Sequence, residues 1–162
     1  MGNRYKLASD FKPLPGEANF PPPIQEEVVG GVHIAPECIT RAGDRFIMIE
    51  WPNGLPRHET NRTVRFPHGL MRFGEAMEQC AQRLVKEQLG MKVKSVRVLY
   101  IDSYLDKMNH WHIEPGLLVE VGGDPKLPKE AGGVIYFRGY KLPKGSVWTI
   151  KEFKEVVDNL IK

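Results

Sequence analysis

Glu75, Gln79, Arg83 and Glu87 stand four apart and are the part of this 162-residue chain best suited to chemistry. Helical residues at that spacing lie on one face, so these four would climb one polar side of a helix. Residues 66–91, FPHGLMRFGEAMEQCAQRLVKEQLGM, supply the helix and the loop before it. Gly69 and Gly74 permit a tight loop, because a residue without a Cβ takes backbone conformations that others resist. Met77, Cys80, Ala81, Leu84 and Val85 recur at helical spacing as an apolar stripe, and Gly90 is the stop signal. Glu75 is expected in the first helical turn, where the positive end of the helix dipole favours a carboxylate. Two carboxylates with an arginine between them can hold a hard cation and fix its ligands. An ordinary amphipathic helix behind two loop glycines is the alternative reading of the same residues.

The stretch resembles the box of the Nudix hydrolases, which reads Gly, five residues, Glu, seven residues, Arg-Glu, an aliphatic, any residue, Glu-Glu, any residue, Gly, an aliphatic. Gly69, Glu75, Arg83, Val85, Glu87, Gly90 and Met91 fall on that pattern without a gap. Leu84 stands where the glutamate after the arginine is expected, Gln88 replaces the second of the paired glutamates, and His68 replaces the glycine that usually precedes the box. The resemblance covers residues 28–162 and implies an α+β fold of α/β/α sandwich type, a mixed sheet held between helices. It also implies hydrolysis, assisted by Mg2+ or Mn2+, of a nucleoside diphosphate linked to another moiety. The metal ligands it implies are Glu87, the backbone carbonyl of Gly69, Gln88 through a neutral oxygen and Glu130 from a later loop. Glu75 would brace the loop or bind a second ion, and Arg83 would orient Glu87. The Arg83-Leu84 pair is similar to the GDP-mannose glycosyl hydrolase branch, where water attacks the sugar carbon and a histidine is the base. That similarity implies a nucleotide sugar as substrate, with His110 or His112 as the base. Homodimers are common in the family. A nucleotide-binding or regulatory module without turnover is the alternative.

A chain of this length with 41% hydrophobic residues fits one domain that builds its core without staples. A net charge of +3 with scattered lysines suits small anionic molecules better than a nucleic-acid groove. Apolar runs fall short of the about 20 residues needed to span a bilayer, and the first residues lack the pattern of a signal peptide, so a cytoplasmic protein with no membrane partner is expected. Cys38 and Cys80 show no metal-ligand spacing and read as reduced thiols, with Cys80 in the core stripe.

The elements that must position the box follow in order. Residues 1–27 are rich in proline and predict an extended arm, either packed on its own domain or a partner subunit or disordered. Residues 28–34 and 45–51 predict two strands joined by a turn through Ala42, Gly43 and Asp44. The polar loop that follows carries Arg57, His58, Arg62 and Arg65, and Arg57, Arg62 and Arg65 suit phosphate binding, with a solvated basic loop as the alternative. Residues 94–104 and 110–121 predict a hairpin on which His110, His112 and Glu114 share one face while Trp111 and Ile113 take the other. Such a face is either a ligand-bearing one, with a histidine able to act as a base near neutral pH, or a polar outer surface. Glu130 lies in a glycine-flanked loop ahead of a strand over 134–138. Residues 149–162 predict a closing helix with Thr149 and Glu152 as capping box and Phe153, Val156, Val157, Leu160 and Ile161 as buried stripe.

Overall fold

The structure, a computed structural model, describes residues 32–52, 63–72, 74–105 and 111–160. The arm expected over residues 1–27 lies outside the described residues, as do Arg57, His58, Arg62, His110 and Ile161. In chain order the elements are β1 (Val32–Ile34), β2 (Glu37–Ala42), β3 (Arg45–Glu50), β4 (Val64–Arg65), α1 (Met77–Gln88), β5 (Lys92–Leu105), β6 (Trp111–Gly122), β7 (Gly133–Phe137) and α2 (Ile150–Leu160).

The seven strands form one mixed sheet. Strand β6 pairs antiparallel with β5 and parallel with β1 and then β2, which follow each other along its length. β2 and β3 are paired only beside their connecting turn, through Arg41 with Phe46 and Ala42 with Arg45. Beyond that point residues 64–68 enter between them. Ile49 pairs with Arg65 on the β3 side, while Glu37 bridges to His68 and the Cys38 N–H donates to the Pro67 carbonyl (2.8 Å) on the β2 side. The other edge of β3 carries β7.

Side chains alternate between the two faces of this sheet, and each face has its own helix. Cys38, Ile47, Ile49, Leu117 and Val119 pack against Cys80, Ala81, Leu84 and Val85 of α1. Ile39, Phe46, Met48, Leu118 and Phe137 pack with Phe153 and Val156 of α2 on the opposite side. The mixed sheet between helices is therefore the observed architecture. Both cysteines are buried free thiols, and burial pushes the Cys80 thiol up to about 12, where it stays protonated.

Two expectations change at the residue level. The hairpin partner of β3 is β2 and not residues 28–34, because the described part of that segment, β1, runs parallel to β6 instead. Pro36 separates the two, having no N–H with which to continue a ladder. Strand β2 escapes a periodicity search because its central residues are covered on both faces, so Cys38, Ile39 and Thr40 are all buried and no alternation survives. Glu75 precedes α1 rather than entering its first turn. The N-cap is Ala76, in extended backbone, and its N–H donates to the Gln79 side chain (2.9 Å). The stop is as expected: Gly90 has φ +65°, and its N–H donates to the Val85 and Lys86 carbonyls.

The capping box of α2 is present, with Thr149 N–H donating to the Glu152 carboxylate (2.9 Å) and Glu152 N–H to Thr149 Oγ1 (3.2 Å). It aims Phe153, fully buried, into the rings of Phe46, Phe66, Phe137 and Trp148. Phe153→Ala is expected to cost about 3–5 kcal/mol of stability through lost burial and the cavity left behind. Chemical denaturation measures it, and a loss below about 1 kcal/mol would mean that α2 is not part of the cooperative core.

Candidate active site

The loop before α1 is closed by one ion pair. Arg83 reaches back past the helix start and donates from Nε to Glu75 Oε1 (2.7 Å) and from Nη2 to Glu75 Oε2 (2.8 Å), a two-point fork. The same Nη2 donates to the Leu70 carbonyl (2.9 Å), and the Arg72 N–H donates to Glu75 (2.9 Å). Burial opposes ionisation of Glu75, but the Arg83 and Arg72 hydrogen bonds outweigh it and hold the carboxyl below its ordinary range. Arg83 is shifted up by the same pairing, against its own burial. The main partner of Arg83 is thus Glu75 and not Glu87, which it meets at 3.4 Å. Glu75 thus ties the Arg72 N–H and the Arg83 side chain together across the loop.

The two altered box positions have structural uses. Leu84 is fully buried in the core under α1, so close to the loop that a Cβ on Gly69 would fall 2.9 Å from its Cδ2. Gln88 is buried and pins His68 from both sides: its Nε2 donates to the His68 carbonyl (2.7 Å), and its Oε1 accepts from the His68 N–H (3.2 Å). The oxygen expected for a metal ion is committed to that bond. Glu130 is exposed on the loop before β7, and among the described residues it makes no ion pair with the box.

The resemblance implies a divalent ion at the box, and the side chains present fit one poorly. Glu87 is the one box carboxylate not engaged in a fork, and guanidinium groups of Arg72 and Arg83 stand 3.3 and 3.4 Å from it. A hard divalent ion takes several oxygen ligands, and two adjacent cations oppose it.

A cleft of about 710 Å3 opens on the α2 side of the sheet, lined by Glu37, Arg65, His68, Tyr100, Glu114 and Trp148 among others. Glu37, at the start of β2, accepts from Trp148 Nε1 (3.1 Å) and Arg65 Nη2 (3.4 Å), and His68 Nδ1 lies 3.7 Å from the same carboxylate. Glu114 projects from β6, with the Tyr104 hydroxyl donating to it (3.3 Å). Burial, and then the nearby charge of Glu37, push the Glu114 carboxyl up to about 7. Tyr100 lies flat on β6 where Gly116 leaves room, since a Cβ there would come within 2.0 Å of its ring. His68 joins the two regions, its backbone held by Gln88 of the box helix and its side chain turned to Glu37.

Of the residues expected at a site, Arg65 lines this cleft beside Glu114, and Arg83, Glu75 and Glu87 meet at the box. His112 shares the Glu114 face as expected, but it is neither a polar outer residue nor an open base. Its ring is buried, edge-on to His33 of β1 and stacked on Tyr104 (5.0 Å). Glu37, His68, Tyr100 and Trp148 carry no spacing signal, because Glu37 and Trp148 meet across 111 residues.

Two outcomes test this geometry. Gln88→Glu would set a carboxylate against the His68 carbonyl and is expected to lower stability by about 1–3 kcal/mol, read by urea denaturation. No loss would mean that the amide does not hold the loop. For Glu114, a folded-state pKa raised from 4.5 to about 7 means that the folded protein keeps a proton that the unfolded chain releases. Its contribution is neutral below pH 4.5, and stability falls as pH rises to about 7. Glu114→Gln should therefore melt higher than the unaltered protein at pH 8 and equally near pH 4.5, both in chelator. Equal melting at both pH values would show an ordinary exposed carboxylate.

No protein-family model matches the chain. Solved structures do resemble it. A MutT Nudix hydrolase from Burkholderia pseudomallei aligns over 78% of this chain and 98% of its own at 17% identity, with a TM-score of 0.63. A Nudix hydrolase from Nitrosomonas europaea aligns over 65% of this chain and 72% of its own at 16% identity, and a pyrophosphohydrolase from Bacillus subtilis over 68% and 64% at 24%, each with a TM-score of 0.53. At such identities what is shared is the arrangement of strands and helices. The mixed sheet between helices that the resemblance implied is the arrangement found, and the chain has the Nudix hydrolase fold.

Proposed function

We propose that this chain is a divergent Nudix-type hydrolase acting on a nucleoside diphosphate linked to another moiety, with a nucleotide sugar as the favoured class. The observation that carries the proposal is the retained Glu75–Arg83–Glu87 network, joined through His68 to a cleft of the size that holds small ligands, about 300–1,000 Å3. Arg65 supports a phosphate group in that cleft, and the Trp148 and Tyr100 rings offer flat apolar surface to a base or sugar. Arg83 acts here as a positioning residue, because its fork to Glu75 and its bond to the Leu70 carbonyl hold the loop in shape. Glu87 is the open carboxylate at the loop mouth. Mg2+ or Mn2+ is the cofactor that the fold family implies, and no step is assigned to it at the box. The catalytic unit is residues 28–162. A homodimer belongs to the same reading, supported by exposed Ile101 and Leu105 on β5, whose outer edge is unpaired among the described residues.

The site of attack follows from Leu84. Position 84 has no carboxylate to assist attack at phosphorus, so water is proposed to attack the sugar carbon, losing one proton to bulk water as the bond to the diphosphate oxygen breaks and the diphosphate leaves whole. A second reading, a nucleotide-binding module without turnover, is favoured by the absorption of Leu84 and Gln88 into structural contacts.

One assay separates the possibilities. Nucleotide sugars, dinucleoside polyphosphates and nucleoside triphosphates are incubated with the protein and Mg2+ or Mn2+ in oxygen-18 water. Turnover of a nucleotide sugar with label in the released sugar is the expected result. Label in the phosphate products instead shows attack at phosphorus. Tight binding without turnover across the panel selects the binding module.

A further inference from the structure

We propose that Glu37, His68 and Glu114 form a binding site for a divalent transition-metal ion of the Mn2+ to Zn2+ class, on the α2 side of the sheet and separate from the box carboxylates. One ligand atom from each residue can be chosen so that all lie within 4.8 Å of one another. Bonds of about 2.0–2.2 Å to a common ion in tetrahedral geometry would bring such atoms to roughly 3.3–3.6 Å, a closure within the reach of side-chain rotations. Two carboxylates with one imidazole suit an ion that accepts both nitrogen and oxygen, whereas Mg2+ prefers oxygen alone.

Three separate anchors hold these side chains. Glu37 opens β2, where it pairs in register with Gly116 of β6, and Glu114 lies two residues away on that same strand. His68 bridges to Glu37 through its backbone, and Gln88 fixes the His68 peptide groups from beneath. The glutamine that weakens the box as a metal site thus steadies a ligand of the proposed one. Such outer support is what keeps a first-contact ligand oriented.

Charge points the same way. Among the described residues the cleft is lined by the carboxylates of Glu37, Asp102, Glu114, Glu152 and Glu155 against one guanidinium, that of Arg65 at 3.4 Å from Glu37, in a chain whose net charge is +3. A cation relieves the repulsion among groups so placed. Arg65, bonded to Glu37 through Nη2, adds a second feature: its side chain is 9% exposed, and its buried Nε has no hydrogen-bond partner among the described residues. A buried donor left unmatched calls for an acceptor. Three protein ligands leave the ion an open position for a further oxygen ligand.

The ion site does not depend on the proposed hydrolysis, and its test reads binding directly. The full chain, stripped with chelator, is titrated with Zn2+ and Mn2+ by calorimetry, with Mg2+ for comparison. One ion per chain is expected for the first two, with Mg2+ at least tenfold weaker. Glu114→Gln and His68→Gln should each weaken Zn2+ binding at least tenfold while circular dichroism shows the fold retained, and Glu87→Gln should leave it unchanged. Pulsed electron paramagnetic resonance of the Mn2+ form should show coupling to one imidazole nitrogen, lost in His68→Gln. The proposal is overturned if no stoichiometric ion binds. It is equally overturned if Glu87→Gln abolishes binding while Glu114→Gln does not. If a variant fails to fold, the nitrogen coupling in the unaltered protein decides alone. Ion binding without turnover of any panel substrate would sink the hydrolase reading and leave this site standing.

Discussion

Residues 64–68, held between β2 and β3, are the constraint on which the rest of the molecule depends. They fill the gap that opens between the two strands beyond their connecting turn. The wedge sends Arg65 and the His68 side chain to the α2 side and delivers Gly69 to the top of α1. Its hold is largely backbone hydrogen bonding, through Cys38 to Pro67 and Val147 to Val64, completed by the Gln88 amide on the N–H and carbonyl of His68. A buried backbone group left unmatched is costly, so this arrangement has little freedom to relax.

Seen from that wedge, the changes at the box form one pattern. A leucine at position 84 joins the core under α1, and an amide at position 88 fastens the loop above it. Both residues make contacts that hold the loop against the helix. Glu75 and Arg83 then neutralise each other through a fork in a partly buried setting, where charge-assisted bonds are stronger than on an open surface. Acidic density remains high elsewhere, in the cleft between β6 and α2, where Glu37 and Glu114 come close enough for one to raise the other's affinity for a proton.

Much of the fold was legible from the chain because it rests on local rules. Helix α1 announces itself by its apolar stripe and its glycine stop, α2 by its capping box, and β5 and β6 by their β-branched and aromatic content. The shared face of His112 and Glu114 follows from the two-residue repeat of a strand. Strand β2 was not legible, because covering on both faces removes the alternation that marks a strand. The placing of Glu75 ahead of the helix was not legible either, since the extended backbone of Ala76 sets the boundary, and spacing counts residues without seeing that bend.

The sequence by itself determined the loop-and-helix box, because loop glycines, an apolar stripe and a glycine stop act within a few turns of chain, and the resemblance of that box implied the class of fold around it. Only the tertiary structure decided what those residues do. Arg83 turns to Glu75 because the loop folds back over the helix start, His112 is enclosed because β1 lies parallel beside β6, and Gln88 is occupied because the wedge brings His68 onto it. The cleft belongs wholly to that level. Glu37, His68, Glu114 and Trp148 come from four distant points of the chain, and the parallel pairing of β2 with β6 and the packing of α2 on the sheet bring them together.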